Sequence, residues 1–305
     1  MGQMRFERLG LPVLAFAIFL GGWSLAASRV QTPIGALPGP GQVLSAARGL
    51  VEEHLAERAR ERAFALRMDD EREAALALGT PFRERHYAGR PTYFDQIATS
   101  LKTVFMGFLL ASLVGVPLGI ACGSSPALYT ALNPLIQIFR PVSPLAWLPL
   151  VMILVSALYT SDEPLFEKSF VSSAITVALC SLWPTLVSTA QGVASIDRDH
   201  LNVARVLRLP WHVKVRKIVV PSALPWICSG LRLSLGVGWM VLIAAEMLAQ
   251  NPGLGKFIWD MFQNGSSETL SQIVVAVFTI GGIGFLLDRS MLALQRALGR
   301  DAHAV

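Results

Sequence analysis

The chain has 305 residues, of which 53% are hydrophobic and only 15% are charged. An ordinary soluble domain is about one quarter charged, so this composition excludes a soluble globular protein. The net charge of +5 and the isoelectric point near 9.4 do not indicate nucleic-acid binding, because the positions of the cations fit membrane orientation instead.

The apolar residues are concentrated in six segments. Five of them contain no charged residue, and the remaining one, 218–245, contains only Arg232. Each is close to the roughly 20 residues that a helix needs to cross the hydrocarbon layer. The sequence therefore predicts an all-α integral membrane protein with six transmembrane helices; the five uncharged segments are 9–27, 104–122, 141–161, 169–196 and 270–287.

The first apolar segment follows Arg5 and Arg8, as the core of a signal peptide would, and Ser24-Leu25-Ala26 is a weak cleavage site. Its length, 9–27, exceeds the usual signal core of about 7–15 residues. We therefore expect a retained membrane anchor, with a cleaved leader as the alternative.

The orientation follows from Lys and Arg in the short loops near the ends of the spans. With a cytoplasmic N-terminus, the outer loops hold only Lys168 and Lys256, and both termini are cytoplasmic. The long connection after the first span is excluded from this count because long loops translocate whatever their charge. The inner side then holds Arg5, Arg8, Arg198, Arg205, Arg208, Lys214, Arg216, Lys217, Arg289, Arg296 and Arg300.

The connection between the first two spans is predicted to be an extracytoplasmic segment over 29–96 with a helical insert. Apolar residues recur there at helical spacing and predict one apolar stripe. Two interpretations remain open: a solvated helix packed on the membrane domain, or a platform for an extracytoplasmic partner. The stripe consists of Val51, Leu55, Ala59, Ala63 and Leu66.

The third span is interrupted by "RPVSPLAWLP". Pro141, Pro144 and Pro149 each remove a backbone donor, so this segment cannot be one straight helix. Inside lipid such a break survives only where protein or a water-filled cavity satisfies the freed carbonyls. Broken helices often mark a transport route; the alternative is a packing kink without function.

The densest positive charge lies in the predicted cytoplasmic loop before span five. "DHLNVARVLRL" places Leu201, Ala204 and Leu207 on one helical face, with Val203 at its edge. Asp199 is the predicted N-cap, and Pro210-Trp211 is the predicted stop. The result is a short amphipathic helix outside the bilayer, whose apolar face is suited to a partner.

This loop resembles the "EAA" loop of ABC importer permeases, whose pattern is Glu-Ala-Ala, three residues, Gly, nine residues, Ile, one residue, Leu-Pro. Asn202-Val203-Ala204 stands at the first three positions, Arg208 at the Gly position, then Ile218 and Val220-Pro221. The spacing is kept without a gap, although four residue types depart from the pattern.

Other motifs extend the resemblance over 97–290. "RPVSPLAWLP", "GLRLSLGVGWMVLIAAEML", "GKFIWDMFQNG" and "GFLLDR" are similar to permeases for nitrate, bicarbonate and cyanate, and "NVARVLRL" with "FIWD" is most similar to nitrate permeases. The expected division is a tail and first span at 1–28, the extracytoplasmic segment at 29–96, a permease core at 97–290 with its coupling loop at about 195–222, and a tail at 291–305.

The resemblance implies the membrane subunit of a type I importer in the bacterial inner membrane, with five core helices plus the N-terminal span. It implies a homodimer in lipid, with separate ATPase subunits that use ATP and Mg²⁺ and an extracytoplasmic solute-binding protein. The chain itself has no phosphate-binding loop, catalytic constellation or metal motif. The implied ATPase-coupling residues are Leu201, Asn202, Ala204, Arg205, Leu207, Arg208, Leu209, Ile218 and Pro221.

Ionisable residues inside spans are functional candidates because they are expensive there. Arg140 and Arg232 are suited to an anion, with snorkelling or pairing with helix-end carbonyls as the alternative, and Ser143 would add a hydroxyl donor. Trp147 and Glu246 complete the predicted pathway set, with packing as the alternative for Trp147 and a structural pair or outer gate for Glu246.

The implied cargo is a small anion, nitrate or nitrite first, with bicarbonate, cyanate and sulfonates such as taurine as alternatives. A secondary transporter would be expected to show repeated halves and midplane carboxylates, and a membrane enzyme would be expected to show a catalytic constellation. Cys122, Cys180 and Cys228 lack metal spacing and fit packing roles.

Overall fold

The computed structural model describes residues 2–32, 35–160 and 165–301. Its helices confirm the predicted all-α class, and a short antiparallel ribbon of β1 (Gln31–Thr32) and β2 (Gly35–Ala36) follows the first helix. A π-helical turn, Val215–Val219, joins two of the helices. The helices are α1 (Gly2–Arg29), α2 (Pro40–Leu78), α3 (Tyr93–Ser124), α4 (Pro126–Phe139), α5 (Pro144–Leu158), α6 (Lys168–Ala194), α7 (Arg198–Val206), α8 (Trp211–Lys214), α9 (Val220–Ala249), α10 (Leu254–Asn264) and α11 (Ser267–Asp301).

Four helices of the described chain are long and apolar enough to cross a membrane: α3, α6, the continuous helix Trp211–Ala249, and Ser267–Leu298. The pair α4 and α5 makes a fifth if it counts as one broken span. The predicted span at 9–27 lies in α1, whose apolar part, Val13–Arg29, is shorter than the roughly 20 residues that hydrocarbon requires. That first span stays a prediction.

The predicted break in the third span is confirmed. α4 ends at Phe139 and α5 begins at Pro144, and the two helices are bent by 100° relative to each other. Proline at the start of α5 is favourable, because the first N–H groups of a helix have no partner within it. The break therefore lies at the residues that cannot continue a helix.

The chain forms two compact units. The first comprises Met1–Ile97 and Phe257–Thr279, and the second comprises Ala98–Lys256 and Ile280–Val305. Helices α3 and α11 each contribute residues to both units. The predicted permease core at 97–290 is defined by function, so the two compact units do not test it. It stays a prediction.

The core of the second unit is α6, which packs along α9 and against α3. Glycines on α3 allow this approach: a Cβ added at Gly123 would lie 2.5 Å from the backbone oxygen of Ala190. Gly230 does the same for α9, where an added Cβ would lie 2.8 Å from Ser188 Cβ. Small residues at such positions allow membrane helices to pack closely.

The large apolar side chains of this unit lie mainly on its outside. On α3, Phe105, Leu109 and Leu113 are exposed, whereas Ser100 and Thr103 are fully buried. Since the hydrocarbon layer is as apolar as leucine, exposed leucines need no protein cover within a span. The second unit therefore has the surface of a membrane domain.

The first unit contains α2, whose 39 residues extend about 58 Å at the α-helical rise. The partly buried face of α2 carries His54, Glu57, Arg58, Glu61 and Phe64. All five residues of the predicted apolar stripe are exposed, and both interpretations of the stripe stay predictions. In this part of α2, the covered face is the one whose polar side chains bond to the following segment.

Three polar contacts join α2 to residues 87–95. Tyr87 donates to Glu57 over 2.8 Å, Arg58 pairs with Asp95, and Thr92 Oγ1 lies 2.7 Å from His54 Nδ1. The hydrogen bond from Tyr87 lowers the pKa of Glu57, and the same bond raises the pKa of Tyr87. The segment after α2 is thus held along the helix by side-chain bonds.

Candidate functional site

The amphipathic helix of the basic loop is α7. Its N-cap is Asp197, whose carboxylate accepts the backbone N–H of Asp199 over 3.0 Å. The prediction of Asp199 as the N-cap is wrong, and Asp199 lies in the first turn instead. A carboxylate in either position is favourable because the N-terminus of a helix carries unpaired N–H groups and positive partial charge.

The end of α7 explains the position that the resembled pattern gives to glycine. Arg208 has φ +47°, its N–H donates to the Arg205 carbonyl, and the Leu209 N–H donates to the Ala204 carbonyl, both over 3.0 Å. These are the bonds of a Schellman cap, which favours glycine at the left-handed position. A side chain there costs about 1 kcal/mol.

This cap also corrects the predicted stop. The helix ends at Val206, before the predicted stop at Pro210-Trp211, because the left-handed residue turns the chain. Pro210 is instead the N-cap of α8, and Trp211 is its first residue.

The exposed face of α7 differs from the predicted one. Ala204 is only 3% exposed and packs within the chain, so it cannot fill a groove on a partner. Val206 and Leu207 are 82% and 63% exposed, and Val203 is exposed beside them. Trp211, which sequence reasoning missed, is 69% exposed. The side chain of Leu201 lies outside the described residues.

The polar residues of α7 surround this apolar face. Asn202, Arg205 and Arg208 are exposed, and Arg205 donates to Asn202 Oδ1 over 3.1 Å. Leu209 is half-buried. The charged side chains therefore lie at the edge of an exposed apolar patch.

The second half of the loop pattern begins the long helix Trp211–Ala249. Ile218 lies in the π-helical turn, and Pro221 follows as the second residue of α9. Proline cannot donate to the carbonyl four residues before it, so the ladder of an α-helix is interrupted here. The neighbouring Val219 and Ala223 are buried in an apolar cluster with Val193 of α6.

Three of the predicted pathway residues lie at the break between α4 and α5. Arg140 is exposed directly after α4, and Ser143 is the N-cap of α5, accepting the Leu145 N–H over 3.3 Å. Trp147 lies one turn into α5, with its ring 5.7 Å from that of Phe139. All three residues therefore flank the 100° bend between the two helices.

Arg232 lies apart from that break and has a partner that sequence reasoning missed. Its Nε and Nη2 atoms donate to the two carboxylate oxygens of Asp288 over 2.5 and 2.9 Å. The two side chains remain 34% and 36% exposed. They line a groove of about 630 Å³ with Gly236 and Met240. Asp288 ends the uncharged run 270–287, which was the available signal.

Glu246 lies in a separate, closed cluster. It is 0% exposed, and its carboxylate accepts from the Ser100 hydroxyl at 2.8 Å and from the Gly255 N–H at 2.9 Å. Ser100 in turn accepts the Leu254 N–H over 2.9 Å. This cluster fits the structural alternative for Glu246, because the carboxylate fixes the loop before α10 to α3. Its pathway role stays a prediction.

Comparison with known proteins adds a family match to this geometry. The family described as "Binding-protein-dependent transport system inner membrane component" matches residues 115–300, which include both halves of the basic loop. In the solved structures, a chain of the MetNI methionine ABC transporter in an inward-facing conformation is similar with a TM-score of 0.58 and 14% identity. It covers 68% of this chain and 95% of that chain, which shows a shared fold.

Three curated relatives match at higher identity. The bicarbonate transport system permease protein CmpB of Synechocystis sp. is 39% identical, covering 67% of this chain and 69% of the relative. The nitrate import permease protein NrtB of Synechocystis sp. is 38% identical, covering 66% and 68%. The taurine transport system permease protein TauC of Escherichia coli is 35% identical, covering 68% and 70%.

Proposed function

Because this chain belongs to the family of binding-protein-dependent transport system inner membrane components, we propose that it is the permease subunit of an ATP-driven importer for a small anion. Nitrate or nitrite and bicarbonate are the two leading cargoes, since relatives named for nitrate import and bicarbonate transport match at 38% and 39% identity. Cyanate and sulfonates such as taurine follow. The chain is a membrane subunit and not itself an enzyme.

The observation that carries this proposal is an exposed apolar cluster within the family-matched segment. We name it the coupling surface, formed by Val203, Val206, Leu207 and Trp211. Apolar side chains gathered on a water-facing loop indicate a contact with another protein. An ATPase subunit with an apolar groove and a polar rim would cover the coupling surface, with Asn202, Arg205 and Arg208 at the rim.

The packing behind α7 is suited to transmitting movement. Ala204 is buried against the chain, and the loop continues within a few residues into the long helix Trp211–Ala249. Val219 and Ala223 at the start of that helix are packed with Val193 of α6. Since close-packed elements move as rigid bodies, a displacement of α7 would be passed to α6 and α9 together.

The proposed assembly has two permease copies, two ATPase subunits that bind ATP and Mg²⁺, and a solute-binding protein on the outer side. The basic loop and both chain ends lie in the cytoplasm by the distribution of Lys and Arg. ATP binding would draw the two coupling surfaces together and open the path outward. The difference in contacts between the two states supplies the free energy of switching.

The path is proposed to run past two cationic sites. Arg140 and Ser143 flank the broken helix, where a guanidinium and a hydroxyl are available to an anion. The Arg232–Asp288 pair is half-exposed in a single copy, and charges within a span face water or protein rather than lipid. Its groove would therefore face the path or the second copy, and an anion would compete with Asp288 for Arg232.

The test is reconstitution of the chain with its ATPase subunits in proteoliposomes, with the binding protein outside. We expect ATP hydrolysis and anion uptake that both require the binding protein. Val206→Asp should weaken ATPase-subunit binding by about 10–100-fold, because one buried valine contributes about 1.5–3 kcal/mol. Lys217→Gln, which removes one positive charge from the same loop, is the control and should bind normally.

Two substitutions at Arg208 test the effect of its charge and the effect of its backbone conformation separately. Arg208→Glu should leave ATP hydrolysis running while uptake falls, if a carboxylate or carbonyl of the ATPase faces this side chain. Arg208→Gly removes the charge but relieves the left-handed backbone, so it should raise loop stability by about 1 kcal/mol. Normal coupling in Arg208→Glu contradicts this role, and normal subunit binding by Val206→Asp contradicts the coupling surface.

A further inference from the structure

The outer face of α2 carries an unusual order of charges among exposed apolar residues. Nine exposed residues recur every three or four positions and lie along one side of the helix. The stripe extends about 44 Å at the α-helical rise. We name it the α2 stripe, formed by Leu44, Arg48, Val51, Leu55, Ala59, Arg62, Leu66, Asp69 and Glu73.

The α2 stripe is left exposed because another face of the same helix is bonded to the following segment. Glu57, Arg58 and His54 are bonded to Tyr87, Asp95 and Thr92 of the following segment. Those bonds fix which side of α2 is turned outward. Leu55 and Leu66 remain 62% and 65% exposed as a result.

Lipid is a poor cover for this stripe. Arg48, Arg62, Asp69 and Glu73 interrupt the apolar residues, and a charged side chain in hydrocarbon is costly. The cover must match both kinds of group: apolar residues interrupted by Arg62 in the middle, and charges of opposite sign toward the two ends. Another protein helix with the same pattern would do so.

We propose that the α2 stripes of two copies of this chain pack antiparallel around a two-fold axis. Arg48 lies near the N-terminal end of the stripe, and Asp69 and Glu73 lie at its C-terminal end. Arg62 lies between them, opposite Leu55 in an antiparallel pair. An antiparallel pair with matched ends places Arg48 beside Asp69 of the second copy and Val51 beside Leu66 of the second copy. A parallel pair would place like charges together, which is unfavourable.

Two-fold symmetry supplies this arrangement directly. A helix that crosses a two-fold axis at a right angle meets its copy antiparallel, and each contact occurs twice. A second copy fits the stripe because the order of its charges, when reversed, places the basic end of one stripe beside the acidic end of the other. The inference rests on the proposed permease homodimer, and it adds an extracytoplasmic contact between the two subunits.

The experiment uses the full chain with its ATPase subunits, with Cys122, Cys180 and Cys228 replaced by alanine. Val51→Cys and Leu66→Cys are placed on separately tagged copies, and the complexes are oxidised. We expect a Val51→Cys to Leu66→Cys crosslink at least about tenfold above either self-crosslink, since each self-pair would be about 22 Å apart along the axis. Glu53→Cys with Arg67→Cys, exposed on another side of α2, is the matched control.

Charge exchange tests the direction of the pair. Arg48→Asp alone and Asp69→Arg alone should each lower the crosslink yield by about fivefold, because two symmetric ion pairs are lost. The double variant should restore the yield. Failure of the double variant to restore it contradicts the antiparallel register.

Other outcomes separate this inference from the proposed function. A dimer of the right mass that transports but forms no α2 crosslink overturns the α2 pair and leaves the permease dimer standing. Self-crosslinks of Val51→Cys at the same yield, or a crosslink to the solute-binding protein instead, also overturn it. A single permease copy per complex overturns the proposed homodimer itself.

Discussion

Helices α3 and α2 are both long and both turn leucines outward, but they bury opposite kinds of side chain. α3 buries Ser100 and Thr103 and exposes Leu109 and Leu113. Along residues 54–66, α2 partly covers Glu57 and other charged or aromatic residues and exposes Leu55 and Leu66. In both helices, therefore, exposed leucines lie beside covered polar groups.

The difference lies in what covers the exposed leucines. α3 lies in a segment of high hydropathy, where lipid is the solvent and small or polar residues make the helix contacts. α2 has charges along both faces and cannot lie in hydrocarbon. An exposed apolar stripe is therefore suited to lipid contact in α3 and, as proposed, to contact with a second copy in α2. The interleaved charges distinguish the two cases.

The largest expected effect follows from Glu246, the buried carboxylate that joins α9, α3 and the loop before α10. Glu246→Ala leaves the Gly255 N–H and the Ser100 hydroxyl without their acceptor and opens a cavity. We expect a loss of about 3–5 kcal/mol of stability, measured by thermal unfolding in detergent.

Glu246→Gln is the matched control for this prediction. Its amide keeps the volume and can still accept one hydrogen bond and donate another, so it should lose far less than Glu246→Ala. A Gln variant that is stable but does not transport would show that the negative charge has a role beyond structure. An Ala variant of unchanged stability contradicts the prediction.

The next effect tests the close packing of α3 on α6. Gly123→Ala places a Cβ 2.5 Å from the Ala190 carbonyl oxygen, so the helices must separate. We expect a loss of about 1–3 kcal/mol of stability in the same assay. Gly281→Ala is the control because nothing lies within 4 Å of the added Cβ, and it should be neutral or stabilising. Equal losses at both positions would contradict close packing as the cause.

The smallest effect concerns the polar contact between Tyr87 and Glu57. The pKa of Glu57 is lowered, so the bond stabilises the folded segment above about pH 4.5 and is lost as pH falls through the lowered value. Hydrogen exchange of residues 80–90 should therefore stay constant between about pH 7 and pH 5 and quicken as pH falls below about 4.5, after correction for the intrinsic rate. Tyr87→Phe should remove that dependence, and its persistence in the variant contradicts this source.

The sequence determined the features that depend on local pattern. The uncharged segments predicted helices suited to a membrane, and three prolines predicted the break that the structure has between Phe139 and Pro144. The spacing from Asn202 to Pro221 identified the loop, because spacing is kept even where residue types change. These features follow from backbone chemistry and helix length, which can be inferred from the local sequence.

The tertiary structure decided which side of each helix is covered and which distant groups meet. Ala204 is buried and Leu207 is exposed, although the sequence places both on one apolar face. Asp288 pairs with Arg232 from 56 positions away, and Ser100 reaches Glu246 across 146 positions. Periodicity defines a face but not its neighbour, because the neighbour is set by packing between elements far apart in the chain.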